Sequence, residues 1–268
     1  MRHSPPQHPQ FYVTAPQDCP YLENKVERKL FTALYGSNSS RLNNSLSKQG
    51  FRRSQNVLYR PSCSNCTACM SARIPSKDFS PSKSQKRILS KNEDIVRVIN
   101  PPLATDPQYK LFQNYINKRH SNGGMSDMDS DDFTSMIEET NVESNLIEYY
   151  IKRGSSLELV SFSLVDILDD GISMVYSVFD PYLRNRSLGT YMILDHSNLA
   201  LEMNLNFVYL GYWVKGSSKM DYKRRFSPLE VFTNDKWTSA SKSKVTKIDS
   251  DKHDQQKHGV PIYLPSEE

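Results

Sequence analysis

Four short segments of this 268-residue chain hold side chains whose types and spacing suit chemistry. Cys63-Ser-Asn-Cys66-Thr-Ala-Cys69 sets three thiols at two-residue gaps, with Cys19 far upstream. Turns between such cysteines bring successive sulfurs to one side. The set therefore predicts a zinc or iron–sulfur site that Cys19 completes, or else small reduced residues packed under a loop. In Arg184-Asn-Arg186-Ser187-Leu-Gly189, backbone amides at a helix start favour a phosphate or a developing oxyanion, and two arginines strengthen that. The plainer reading is a solvated turn with an ordinary cap. Lys215, Lys219, Lys223, Arg224 and Arg225, interleaved with Tyr222 and Phe226, suit a single-stranded RNA end, or simply form a basic loop. Arg119-His120 beside Gly123-Gly124 suits a carboxylate clamp, or a charged helix end stopped by glycines.

The surrounding sequence must position these groups. Leu22, Val26, Leu30 and Leu34 recur every four residues, which predicts a helix that Asp18 caps and Gly36 ends. The Ser/Asn-rich stretch 37–50 is a loop or a polar helix, and 51–59 reads as a strand leading into the cysteines. Residues 73–91 carry six cations against one acid, Asp78. A short strand at 95–99 precedes the Pro101-Pro102 break. Tyr109, Phe112 and Ile116 put a helix over 107–119. Residues 121–151 hold eight acids and no Lys or Arg, which reads as a solvated face. Strands follow at 146–151, 157–168 and 172–179, with turns at Arg153-Gly154 and Asp170-Gly171. Leu188, Met192, Leu199 and Met203 give a helix, and 207–214 a last strand.

Composition bounds the rest. The net charge of +4 excludes a uniformly basic surface, so the two basic stretches matter more than their sum. No apolar run approaches the ~20 residues a bilayer needs, and no signal peptide is evident, which predicts a cytoplasmic protein with reduced thiols and no membrane partner. We expect a flexible arm at 1–10, a Cys-containing N-terminal domain at 11–100, a second domain at 101–237 and a flexible tail at 238–268. The fold class is α/β or mixed α+β. The order hairpin–strand–helix–strand resembles the GCN5-related acyltransferases, which implies a mixed sheet with flanking helices.

Longer segments carry a closer resemblance. Cys19-Pro-Tyr-Leu22, Tyr59-Arg-Pro-Ser-Cys63 and the stretch Phe79-Ser-Pro-Ser-Lys-Ser-Gln-Lys-Arg87 match the arginyl-tRNA–protein transferase family in its bacterial, aspartate/glutamate leucyltransferase branch. So do Val178-Phe-Asp-Pro-Tyr182, Ser187-Leu-Gly189, and Tyr209-Leu-Gly-Tyr-Trp-Val214 followed by Lys219-Met-Asp-Tyr222. The resemblance implies transfer of leucine from leucyl-tRNA to proteins beginning with Asp or Glu, marking them for degradation. Eukaryotic relatives transfer arginine and carry C-x-x-C where Leu22 stands here, so the metal of that branch does not carry over directly.

That chemistry assigns expected roles. The aminoacyl ester is already activated, so no cofactor is required, and alignment of amine and carbonyl dominates. Asp180 orients or deprotonates the amine, with Tyr176 assisting. Amides near Ser187 and Gly189 hold the oxyanion. Arg119, His120 and Arg73 hold the acidic side chain of the acceptor. Lys83, Lys86, Arg87, Arg184, Arg186, Lys219, Lys223, Arg224 and Arg225 hold tRNA phosphates. Arginine as the donor, coenzyme A-dependent acetyl transfer and non-catalytic RNA binding are the competing readings.

Overall fold

Alternation of apolar and polar residues between 144 and 179 gives the longest strands of the protein, and the sheet is built around them. The computed structural model describes residues 9–119 and 123–240. Its first part runs β1 (Tyr12–Val13), β2 (Gln17–Asp18), β3 (Val26–Glu27), β4 (Lys29–Ala33), α1 (Ser39–Lys48), β5 (Arg52–Ser54) and β6 (Val57–Pro61). Then come β7 (Cys69–Pro75), α2 (Lys83–Lys91), β8 (Ile95–Asn100), α3 (Asp106–Arg119) and α4 (Ser130–Glu138). The rest is β9 (Ser144–Arg153), β10 (Ser156–Ile167), β11 (Gly171–Phe179), α5 (Leu188–Glu202), β12 (Phe207–Val214), β13 (Glu230–Thr233) and β14 (Lys236–Ser239).

Eight strands form one mixed sheet in the order β14-β13-β7-β12-β11-β10-β9-β8, and a four-stranded sheet, β1-β4-β6-β5, is separate. Within the large sheet only β11 and β12 run parallel, joined through α5. Because β7 and β8 belong to this sheet, Pro101-Pro102 separates consecutive elements of one layer rather than two sheets. The strand alternation sorts the core. Ile147, Tyr149 and Ile151 face α5, while Leu146, Phe162 and Leu164 face α3 and α4.

The helix expected over 18–35 does not form; β2, β3 and β4 take its place. A four-residue repeat returns to the same face of a strand as well as of a helix, so that spacing could not discriminate. Strand pairing with β6 then buries Leu34 beside Leu58, Leu42, Leu46 and Phe51. Stretch 37–50 resolves as a helix because Leu42 and Leu46 supply its buried face. Thr238 and Ser239, expected in the tail, pair with β13. Residues 1–8 and 241–268 lie outside the described residues.

The two sheets are held together by a buried ion pair. From β5, Arg53 donates through Nε and Nη2 to both carboxylate oxygens of Asp166 at 2.7 and 2.6 Å. Ser144 Oγ donates to the same carboxylate at 2.8 Å, and both charged side chains are 1% exposed. Two parallel charge-assisted bonds offset much of the desolvation cost, so the small sheet docks in one orientation.

Candidate active site

The parallel pair β11–β12 holds only at its start, through Gly171↔Phe207, Ile172↔Val208 and Ser173↔Tyr209. Beyond that the strands part, and β12 shifts register against β7 between Tyr209 and Gly211. Parting strands leave backbone carbonyls unpaired, and buried carbonyls need donors. Two cations supply them. Arg52 donates to the carbonyls of Met174 and Val175 at 3.0 and 3.2 Å, and Lys223 Nζ donates to that of Tyr212 at 2.5 Å. Gly211 has φ +74°, and a β-carbon there would overlap the Arg52 guanidinium, so a side chain would strain the backbone and displace Arg52. The Tyr212 hydroxyl donates to the carbonyls of Gly50 and Tyr59, tying the gap to the small sheet.

At the open end, Tyr115 of α3 packs edge-on to Phe179 with ring centroids 4.9 Å apart, and the Arg119 guanidinium lies 5.5 Å from the same ring. Thus the structure brings Arg119 to the strand end that carries Asp180. Asp180 accepts a hydrogen bond from the Tyr182 amide at 2.8 Å, which shapes the turn after β11. Burial, then neighbouring Tyr115, holds the Tyr176 phenol above its ordinary pKa, so it stays protonated and acts as a donor at neutral pH. Ser187 adopts φ +53° as the cap of α5, and the first amides of the helix have no partner within it. A β-carbon at Gly189 would stand 3.1 Å from Phe179, so the missing side chain lets the helix start close on the strand end.

The two basic stretches become one surface. Gln85 of α2 donates to the Arg225 carbonyl at 3.0 Å, and Phe79 packs on Phe226. On the other side of α2, Asn92 donates to the Arg186 carbonyl at 2.9 Å. Lys83, Lys86, Arg87, Arg184, Lys219, Arg224 and Arg225 are exposed.

Three expected roles do not survive the geometry. Lys223 is 3% exposed and points into the gap, so it presents no charge to a tRNA backbone. Arg186 is taken by Asp94 through both terminal nitrogens, at 2.5 and 2.8 Å. Arg73 pairs with Glu230 at 2.8 Å and lies between the rings of Phe207 and Trp237, where it packs the sheet rather than meeting a substrate. His120 lies outside the described residues.

All four cysteines line one hollow that is open to solvent, together with Tyr21, Leu22, Tyr59 and Tyr212. Burial, and then the neighbouring Cys19, Cys63 and Cys66, pushes the Cys69 thiol up to about 12, so it is a thiol and not a thiolate. Among the described residues no group of three or more His, Cys, Asp or Glu is arranged to hold a metal ion. The expected zinc or iron–sulfur site is corrected accordingly: the thiols share a hollow but do not converge as a ligand set.

Sequence reasoning missed Arg52, Tyr115 and the inward turn of Lys223. One signal was present: an isolated glycine inside the strand pattern at Gly211 marks a bulge or a close approach.

No helix among the described residues is long and apolar enough to cross a membrane. Comparison with known proteins agrees along most of the chain. The family model "Arginine-tRNA-protein transferase, N terminus" matches residues 17–87, and "Arginine-tRNA-protein transferase, C terminus" matches residues 107–233. The aspartate/glutamate leucyltransferase of Ruegeria pomeroyi is 54% identical, covering 96% of this chain and 91% of its own. That of Paracoccus denitrificans is 55% identical, covering 88% of both chains. Among solved structures, L-PGS from Bacillus licheniformis aligns with 54% of this chain and 45% of its own, at 12% identity and a TM-score of 0.40. Covered through both halves by its models, the chain belongs to the arginine-tRNA-protein transferase family.

Proposed function

We propose that the protein moves leucine from leucyl-tRNA to the α-amine of proteins beginning with Asp or Glu, in the cytoplasm, marking them for degradation. The observation that carries this reading is the 3-10 turn Asp221–Arg225. It sends Lys223 into the gap while Arg224 and Arg225 stay on the basic surface beside α2, so nucleic acid and reaction centre adjoin. The parallel β11–α5–β12 unit with parting strands also supports a GCN5-related acyltransferase-like reading of the mixed sheet.

In this scheme Lys83, Lys86, Arg87, Arg184, Lys219, Arg224 and Arg225 hold tRNA phosphates, as an exposed cluster can. The 3′ end enters at the mouth by Phe179. Asp180 orients the incoming amine, and Tyr176 donates a hydrogen bond. Arg119 draws in the acidic terminus, with His120 beside it in sequence. An α-ammonium of pKa ~8 loses one proton to solvent, and its nitrogen attacks the ester carbonyl. The oxyanion rests on the first amides of α5 near Ser187 and Gly189. When the C–O bond breaks, a second proton passes from the nitrogen to the leaving ribose oxygen and the amide is complete. No cofactor is needed for these steps.

The test incubates the protein with radiolabelled leucyl-tRNA or arginyl-tRNA and with peptides starting in Asp, Glu or Ala. Label from leucyl-tRNA in the acidic-start peptides alone is the expected result. Equal labelling of the Ala-start peptide, or transfer from arginyl-tRNA instead, overturns the reading.

A further inference from the structure

The gap between β11 and β12 contains an imbalance that the fold does not explain. Arg52 enters it from the small sheet and Lys223 from the Asp221–Arg225 turn, and each donates only to backbone carbonyls. Among the described residues neither makes an ion pair with a carboxylate. The groups that face them are neutral or cationic: Tyr212 below Arg52, with the guanidinium 5.8 Å from its ring, and Tyr222, whose ring lies 5.8 Å from Lys223 Nζ. Tyr222 in turn senses Arg52 and Tyr115. Arg224 on the same turn lies outward, over Trp213.

Burying charge without a partner is costly, and a protein relieves that cost by neutralising the group or by reserving the place for a counter-ion. Lys223 is shifted in the first direction. Burial, then the Arg52 charge, holds its pKa well below the ordinary 10.5.

We infer that Arg52 and Lys223 form the subsite for the side-chain carboxylate of the acceptor's N-terminal Asp or Glu, seated in the gap between β11 and β12. This rests on the reading above, in which such an acceptor is the substrate. Arg119, exposed at the mouth, guides the acidic end; half-buried Arg52 and buried Lys223 select it. An amide side chain has the shape but not the charge, so Asn and Gln ends leave Arg52 uncompensated. The carboxylate favours the ammonium form of Lys223, opposing the burial that disfavours it. A serine or alanine end supplies no such charge.

The experiment measures binding of Asp-start and Asn-start peptides to the full chain by calorimetry. Tighter binding of the Asp-start peptide than of the Asn-start peptide is expected. Arg52→Gln and Lys223→Gln should raise KM for the Asp-start peptide on the order of 100-fold and bring Asp and Asn ends close to parity, with affinity for leucyl-tRNA unmoved. Lys223→Arg, which keeps the charge, should retain Asp selection. Equal binding of the two peptides by the unmodified protein overturns the subsite, and so does full Asp selection in folded Arg52→Gln. If Lys223→Gln does not fold, Arg52→Gln still decides. Labelling of acidic-start peptides from leucyl-tRNA is scored separately. Its failure removes the reaction, whereas its success with unchanged variant selectivity removes only the subsite.

Discussion

Arg52 and Arg53 are neighbours on one short strand, yet they meet opposite surroundings. Arg53 ends on the Asp166 carboxylate, with Ser144 completing the set and both charges sealed from water. Arg52 ends on two carbonyls in a gap that also holds Lys223. The balanced pair fastens one sheet to the other; the unbalanced pair leaves a positive site that only a ligand can complete. Buried charge thus serves architecture where it is matched and recognition where it is not.

Removing the match at the first site should have the largest effect. Asp166→Ala strands the Arg53 guanidinium in the interior and is expected to cost about 3–5 kcal/mol, read as a lowered denaturant midpoint. Arg52→Gln, which can still donate to one carbonyl, should cost about 1 kcal/mol, and an equal loss in both variants would erase the contrast. A third buried ionisable group sharpens it. His196, enclosed beside Tyr149, is held down from 6.5 to about 3 by burial and then by the Arg97 charge. Between those values the unfolded chain binds a proton that the folded one refuses. Stability therefore falls as pH drops below 6.5, by about 1.4 kcal/mol per unit, and is flat above it. His196→Leu should flatten that slope in urea titrations from pH 7 to 4.

Smaller effects test the gap itself. Gly211→Ala forces a side chain into a positive-φ position against Arg52, with an expected loss of ~1–3 kcal/mol and a higher KM for acidic-start peptides. If selectivity stayed intact, Arg52 would not need its present place. Least of all, Lys86→Ala or Arg87→Ala should each weaken tRNA binding by about 0.5–1 kcal/mol and lower its salt dependence, as exposed phosphate contacts do. Acceptor selection should not change in these variants.

The sequence made the centre of the fold legible. Strands β9 to β12 and helices α3 and α5 follow from alternation, turn residues and a helical spacing that no other structure satisfies. The segment 18–34 did not, because a four-residue repeat fits strand and helix alike. The basic surface was legible as two stretches, but only tertiary packing through Gln85 and Phe79 joins them. Lys223 was misread for a physical reason: a lysine within a run of cations looks solvated, and nothing local reveals that one of them turns inward. Arg52 was invisible for the same reason, since its partners lie more than a hundred residues away on β11.

The hydroxyl of Tyr212 binds the small sheet while its carbonyl holds Lys223, so the gap is a seam. Arg52 belongs to the first matched family segment and Lys223 to the second. Neither segment encloses a selective site alone, and each becomes useful only in the company of the other. A chimaera that swaps one half between relatives would inherit a mismatched seam, so the two halves must change together.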